Sequence, residues 1–108
     1  MAVFRISGPK AVEAAGALGI KNPLTPRLAT LTNLSHNGTH IDQALCLFFP
    51  SPYSFTGEDI IELHTHGSRA VTKLLLEALN GISGLRMAEP GEFARRAFLN
   101  GKMDLAQA

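Results

Sequence analysis

The chain has 108 residues, a net charge of +1 and a single cysteine. This length holds one domain with one modest core, and 45% hydrophobic with 18% charged residues excludes a disordered chain. The near-neutral charge gives no general attraction to nucleic acid or membranes, and no apolar run is long enough to span a bilayer. One cysteine cannot build a disulfide framework; Cys46 lies in an apolar run and is predicted to be buried.

The beginning of the chain predicts a strand followed by a helix. Residues 2–6 alternate loosely between apolar and polar side chains, as a strand does. The Ser-Gly-Pro string at 7–9 then starts an alanine-rich helix, with Pro9 near its first position, and this helix extends toward Gly19. Residues 21–27 hold two prolines and are predicted to be a connector.

A β-hairpin is predicted next, with strands at 28–35 and 40–49. The turn between them contains Asn37 and Gly38, a pair that tolerates the positive φ of tight hairpin turns. Because apolar side chains occupy both faces of 40–49, we expect this strand to be buried on both sides.

A polar loop at 50–57 leads into a further strand at 58–66. On this strand Ile61 and Leu63 face one way, because alternate strand residues share a face. The opposite face carries Glu62, His64 and His66. Ser68 then caps the clearest helix of the chain, whose apolar positions recur at helical spacing: Val71, Leu74, Leu75, Ala78, Leu79 and Ile82.

The last quarter predicts a short strand at 85–88 and a compact helix at 91–99, stopped by Asn100 and Gly101. Asp104 then has the position of a cap for another helix, which a single turn cannot stabilise alone, so we expect this chain to be part of something longer. The predicted fold class is α+β, with helices packed on a mixed β-sheet.

The polar face of the 58–66 strand is the first candidate site. Glu62, His64 and His66 have the composition of a zinc or iron site, but adjacent ligands on one strand lie about 7 Å apart, so convergence on one ion would be strained. The alternative is a polar face covered by a loop or partner. Glu62 alone matches the paired N–H donors of a pterin or guanine, or is simply a surface glutamate.

A group of cations and a loop are the other candidates. Arg95, Arg96 and Lys102 suit a ligand carboxylate or phosphate, although adjacent helical arginines point about 100° apart. The alternative is a solvated helix face with Arg95 paired to Glu92 or Glu89. The loop at 54–59 either closes over a ligand or is a connector whose Phe55 fills the core. The sequence contains no nucleoside triphosphate motif.

Four strings of this sequence closely resemble one family: VFRISG at 3–8, FPSPYSFTGED at 49–59, ELHTHG at 62–67 and PGEFARRAFLNGKMDL at 90–105. They are similar to the N-terminal domain of the MnmE (TrmE) tRNA-modification GTPases, in the family's order over nearly the whole chain. The resemblance implies a parent protein with three parts: this folate-binding and dimerisation domain (residues 1–108), a helical domain and a G domain. The chain is expected to be truncated at both ends, with the last two domains absent.

The resemblance also implies a function. The family, with the flavoprotein MnmG (GidA), adds a carboxymethylaminomethyl-type group to carbon 5 of the wobble uridine in tRNA. The domain is expected to dimerise, to bind 5-formyl-tetrahydrofolate as one-carbon donor, and to share the fold of the folate-binding domain of the glycine-cleavage T protein. GTP, Mg²⁺ and K⁺ belong to the G domain, so this chain is not expected to be catalytic alone. The expected compartment is the bacterial cytoplasm, with mitochondria as the alternative and no membrane association.

By motif position the resemblance implies three folate contacts in this sequence: Arg5, Glu62 and Lys102. Glu62 would accept from the pterin edge, while Arg5 and Lys102 would offset the glutamyl carboxylates or polarise the formyl group. The sequence departs from the family in having only four residues before Arg5, where members carry some fifteen or more. Two other functions stay open: a pure assembly module without ligand, and a small metal-binding protein that uses Glu62, His64 and His66.

Overall fold

The computed structural model describes residues 1–20 and 24–101. In this part of the chain, four strands and three helices follow one another in the order β1 (Ala2–Ser7), α1 (Ala11–Ala17), β2 (Thr30–His36), β3 (Thr39–Phe49), β4 (Ile60–Thr65), α2 (Arg69–Asn80) and α3 (Glu92–Leu99). The predicted cap at Asp104 lies outside the described residues, as do residues 21–23 of the connector predicted at 21–27. None of the helices described is long and apolar enough to cross a membrane.

The four strands form one sheet in the order β1-β4-β3-β2. Each neighbouring pair is antiparallel, so the α+β class is confirmed, whereas the mixed sheet that we expected is antiparallel throughout the described strands. The reason lies in the connections: β2, β3 and β4 follow one another without a helical crossover, which a parallel pair would need. The first strand then pairs along the free side of β4, also antiparallel.

The α1 helix begins two residues later than Pro9, at Ala11, and is ended by Gly19. Gly19 has a φ of 84°, and a Cβ at this position would lie 3.0 Å from the Ser35 hydroxyl oxygen. The carbonyl of Leu18, just before it, accepts a 2.9 Å hydrogen bond from the Ser35 amide. A residue with a side chain at position 19 would therefore strain the backbone and push the helix off β2.

The predicted hairpin is confirmed, with Asn37 and Gly38 both at positive φ in the turn. Its register contains a bulge that the sequence analysis did not predict: Ser35 is opposite His40 and Leu34 is opposite Asp42, which leaves Ile41 as an extra residue. The bulge reverses the alternation of β3, so that Ile41 and Asp42 are both buried.

Burial of β3 on both sides, which we predicted, is wrong. Cys46 and Ala44 are buried on the face that carries the helices, whereas Gln43 and Leu45 on the other face are exposed. Both α1 and α2 pack on the same face of the sheet, so the opposite face has no helix over it in the described chain. The core lies between this sheet face and the two helices, and its largest buried side chains include Leu18, Leu34, Ile61, Leu63 and Leu75.

The α2 helix has the predicted cap, because the Ser68 hydroxyl accepts a hydrogen bond from the Val71 amide. The predicted strand at 85–88 is wrong: this segment turns toward α3, where the Arg86 guanidinium donates to the Glu92 carboxylate. The α3 helix ends at Asn100 and Gly101 as predicted.

Two adjacent leucines of α2 test the assignment of the core. Leu75 is fully buried, whereas Leu74 is 36% exposed, contrary to its predicted place on the apolar stripe. We expect Leu75→Ala to lower the free energy of unfolding by about 2–5 kcal/mol, because it leaves a cavity in the core. The control Leu74→Ala should lower it by less than about 1 kcal/mol. Equal losses in urea unfolding curves would contradict this placement of α2.

Candidate ligand-binding site

Two side chains predicted as ligand contacts, Arg5 and Glu62, meet on the open face of the sheet. They are directly opposite each other in the β1–β4 register, and Arg5 Nε donates to Glu62 Oε2 over 2.8 Å. The carboxylate is largely covered, with 16% of its side chain exposed, whereas the Arg5 side chain is 56% exposed. Glu62 is therefore the fixed member of the pair, and Arg5 extends over the surface.

The other oxygen of Glu62 bonds to His64, at 2.8 Å between Oε1 and Nε2. Burial by itself would raise the pKa of Glu62, but the hydrogen bonds from Arg5 and His64 outweigh it and hold the pKa below its usual value. The carboxylate is thus ionised at neutral pH. Each oxygen accepts one of these bonds and retains a second lone pair for an incoming donor.

A cavity of about 330 Å³ opens beside this carboxylate. Its walls are two aromatic rings, one aliphatic side chain and the ion pair: Phe49, Phe55, Ile60, Arg5 and Glu62. Register explains the floor, because Phe49 and Ile60 are paired at the end of β3 and β4 on the same face as Glu62. Glu62, Arg5 and Phe55 were predicted as candidates from the sequence, whereas Phe49 was not; its place in the FPSPYSFTGED string was the available signal.

Phe55 belongs to the loop at 50–59, which is tied to itself and to β1. The Ser51 amide donates to Asp59 Oδ1 over 2.8 Å, and the Ser54 hydroxyl donates to the Glu58 carbonyl. Thr56 is fully buried and its hydroxyl lies 2.7 Å from that of Ser7. Phe55 itself is half-exposed at the cavity, so it does not fill the core as the connector alternative required.

His66 does not line this cavity and contacts Asp42 instead. Its ring nitrogen Nδ1 lies 2.9 Å from Asp42 Oδ1, and its amide donates to Asp42 Oδ2 over 2.9 Å. Burial alone would raise the pKa of Asp42, but these bonds keep it below the usual value. Asp42 and its role were missed, because the bulge at Ile41 that turns it inward has no clear sequence signal.

The structure does not bring Glu62, His64 and His66 to one point. Glu62 and His64 are hydrogen-bonded to each other, and His66 is held by Asp42. Among the described residues, no group of three or more His, Cys, Asp and Glu side chains is arranged to hold a metal ion. The geometry therefore gives no support to the metal-site alternative.

The two adjacent arginines of α3 differ in their surroundings, and Arg96 is the one that other side chains hold in place. Its guanidinium lies between two carboxylates, 2.8 Å from Glu58 Oε2 and 3.0 Å from Glu92 Oε2. The pairing of Arg95 with Glu92 that we considered is wrong, because Glu92 is bound by Arg86 and Arg96 while Arg95 points to solvent. Lys102, the third predicted folate contact, lies outside the described residues.

Fold and site together define a class of protein. This is an α+β domain in which an antiparallel sheet carries helices on one face and, on the other, a cavity with aromatic walls and a fixed carboxylate. The cavity combines apolar ring surfaces with a carboxylate–guanidinium pair, as small-molecule sites combine apolar walls with a few placed polar groups.

Comparison with known proteins identifies the family. Residues 1–102 match the family described as "GTP-binding protein TrmE N-terminus", and the chain belongs to it. Proteins named "tRNA modification GTPase MnmE" are similar over the whole chain: 56% identical over 108 residues in Caulobacter vibrioides and 54% over 109 residues in Anaplasma phagocytophilum. The chain spans 24% of the length of each of these two relatives.

The lowered pKa of Glu92 predicts that the folded chain loses stability in acid. Bonds from Arg86, from the Glu89 amide and from Arg96 lower the pKa of Glu92 from 4.5 to about 2. Because the folded pKa is depressed, its stabilisation is complete above about pH 5 and is lost as the pH falls toward 2. We expect the urea midpoint to fall over this window, and Glu92→Gln to be less stable at pH 7 but less sensitive to acid. Parallel pH profiles for both proteins would contradict this.

Proposed function

We propose that this chain is the folate-binding and dimerisation domain of a tRNA-modification GTPase. The observation that supports it best is the Glu62 carboxylate at a cavity walled by Phe49 and Phe55. A pterin is flat and aromatic, so the two rings offer it apolar contact, and its adjacent N–H donors match the free lone pairs of Glu62. The cavity volume of about 330 Å³ is in the range of small-molecule sites.

The cation beside this carboxylate fits the rest of the same ligand. A folate carries glutamyl carboxylates at the end away from its pterin. The exposed guanidinium of Arg5 suits either these carboxylates or the formyl oxygen. Lys102 is proposed as the second cation, by its place in the family's motif. When bound, 5-formyl-tetrahydrofolate would supply a one-carbon group at an oxidation level suited to transfer.

The open sheet face is proposed as the surface that binds a second copy of the chain. A row of side chains crosses all four strands here, with Val3 opposite His64, His64 opposite Leu45, and Leu45 opposite Leu31. The three apolar members are 47%, 41% and 59% exposed, which is unusual for neighbouring aliphatic side chains on one sheet. A two-fold dimer needs one self-complementary patch, and a row that is apolar at three of its four positions can meet its own copy.

The activity of the whole protein is proposed from its relatives' name and the family resemblance. The substrate would be the wobble uridine of tRNA, modified at carbon 5 with MnmG (GidA) as partner. GTP hydrolysis, with Mg²⁺ and K⁺, would occur in a domain that this chain does not contain, since its sequence has no phosphate-binding loop. The bacterial cytoplasm is the proposed compartment.

Titration with 5-formyl-tetrahydrofolate tests the site. Glu62→Gln replaces an acceptor with an amide N–H that faces the pterin donors, so the affinity should fall roughly tenfold to a hundredfold. Glu77→Gln, an exposed glutamate of α2, is the matched control and should bind like the parent chain. Equal affinity of both variants would refute the role of Glu62, and no binding by the parent chain would refute a folate site in this chain.

Analytical ultracentrifugation tests the dimer surface. Leu45→Glu places a charge in the middle of the apolar row and should convert dimers to monomers, because burying an unpaired carboxylate is unfavourable. Leu74→Glu changes an exposed leucine on the helical layer and should leave the dimer intact. A parent chain that is monomeric at all concentrations would contradict the proposal. Dimers that bind no folate would favour the pure assembly module.

A further inference from the structure

The α3 helix contacts the loop at 50–59 at two separate points. Arg96 Nη1 donates to both carboxylate oxygens of Glu58, over 3.0 and 2.8 Å. One turn later, Asn100 Nδ2 donates to the Thr56 carbonyl over 3.0 Å. Both acceptors lie within three residues of Phe55, the ring that walls the cavity.

The loop residues at these two points are themselves fixed. Thr56 is fully buried, its hydroxyl bonds to that of Ser7, and it accepts from the Glu58 amide over 3.2 Å. Glu58 also accepts from the Ser7 hydroxyl over 3.0 Å. Phe55 is therefore attached to a short segment that is held between β1 on one side and α3 on the other.

Arg96 is held in place from behind. Glu92, almost fully buried at the first turn of α3, accepts from Arg96 Nε over 3.0 Å and from Arg86 Nη1 over 2.8 Å. A guanidinium fixed between two carboxylates keeps one orientation, because its planar donors are satisfied on both edges. Its neighbour Arg95 is on the same helix and is exposed.

We propose that Arg96 and Asn100 are positioning residues for the Phe55 wall of the ligand cavity. They do not line that cavity, and they act through Glu58 and Thr56. For ligand binding this inference rests on the proposed folate function.

A fluorescent reporter tests the positioning without any ligand. The chain has no tryptophan, so Phe55→Trp introduces a single indole at the cavity wall. Adding Arg96→Gln or Asn100→Ala should shift its emission to longer wavelength and raise its quenching by acrylamide, because the loop loses an anchor. Adding Arg95→Gln should change neither quantity. Identical emission and quenching in all four proteins would overturn the proposal.

Titration with 5-formyl-tetrahydrofolate gives the second readout, in chains that keep the natural Phe55. Arg96→Gln and Glu58→Gln should each weaken binding by about threefold to tenfold, the size of a partly exposed charge-assisted contact. The double variant should lose clearly less than the sum of the two single losses, because both variants remove the Arg96–Glu58 contact and differ only in their bonds to Glu92 and Ser7. Additive losses would overturn the pairwise mechanism.

The two readouts separate the two proposals. If the parent chain binds no folate but the tryptophan responds to Arg96→Gln, the proposed function fails and the positioning of the loop stands. If folate binds and no variant of α3 changes either the emission or the affinity, the positioning role fails alone. Should Arg96→Gln not fold, Asn100→Ala decides the matter, because it removes only a neutral donor.

Discussion

The arrangement of this molecule follows from a sheet that, among the described residues, is covered by helices on one face only. The two helices that contact the sheet, α1 and α2, lie on the same side of it. Because side chains alternate along a strand, each strand divides its residues between this packed face and the open one. Glu62 stands on the open face for this reason, between the buried neighbours Ile61 and Leu63. A single-residue slip of β4 would place the carboxylate in the core, so the hydrophobic alternation itself fixes the site.

The charged groups beside the cavity act as a connected set rather than as separate surface pairs. Isolated exposed ion pairs stabilise proteins by about 0–1 kcal/mol, and the Arg5–Glu62 pair, with an exposed guanidinium, belongs to that weak class. The Arg96 guanidinium differs, because it is partly buried and shared by Glu58 and Glu92. Such a network restricts orientation more than it adds free energy, which is the property that a cavity wall requires.

Much of this fold could be predicted from the sequence because local signals and tertiary packing agree. The strand alternation, the Asn37-Gly38 turn, the Ser68 cap and the Asn100-Gly101 stop all have short-range causes, and each is present. The predictions for Leu74 and for the segment at 85–88 are wrong because side-chain contacts and packing, rather than the local pattern, decide their placement. The bulge at Ile41 belongs to the same group, and it determines that Asp42 turns inward and holds His66.

The site shows the same division. The choice of Arg5 and Glu62 came from motifs, and register alone then makes them opposite neighbours. Phe49 is placed by the β3–β4 register and had a signal in the FPSPYSFTGED string. The partners of Arg96 could not be predicted, since they depend on how the loop at 50–59 folds back between β1 and α3. Sequence spacing shows which residues share an element, but the loop's path decides which elements share a cavity.

The unequal burial of Arg5 and Glu62 has a consequence for recognition. A carboxylate held on both oxygens by Arg5 and His64 has a fixed geometry, so a ligand that binds to it would need little ordering of the protein at this end of the cavity. The Arg5 side chain, more than half exposed, retains the freedom to follow a ligand's tail. In the proposed folate site, a rigid acceptor combined with an adaptable cation would select the ring strictly and the tail loosely. This is the division expected of a site for ligands that share one heteroaromatic head and differ in the length of an acidic chain.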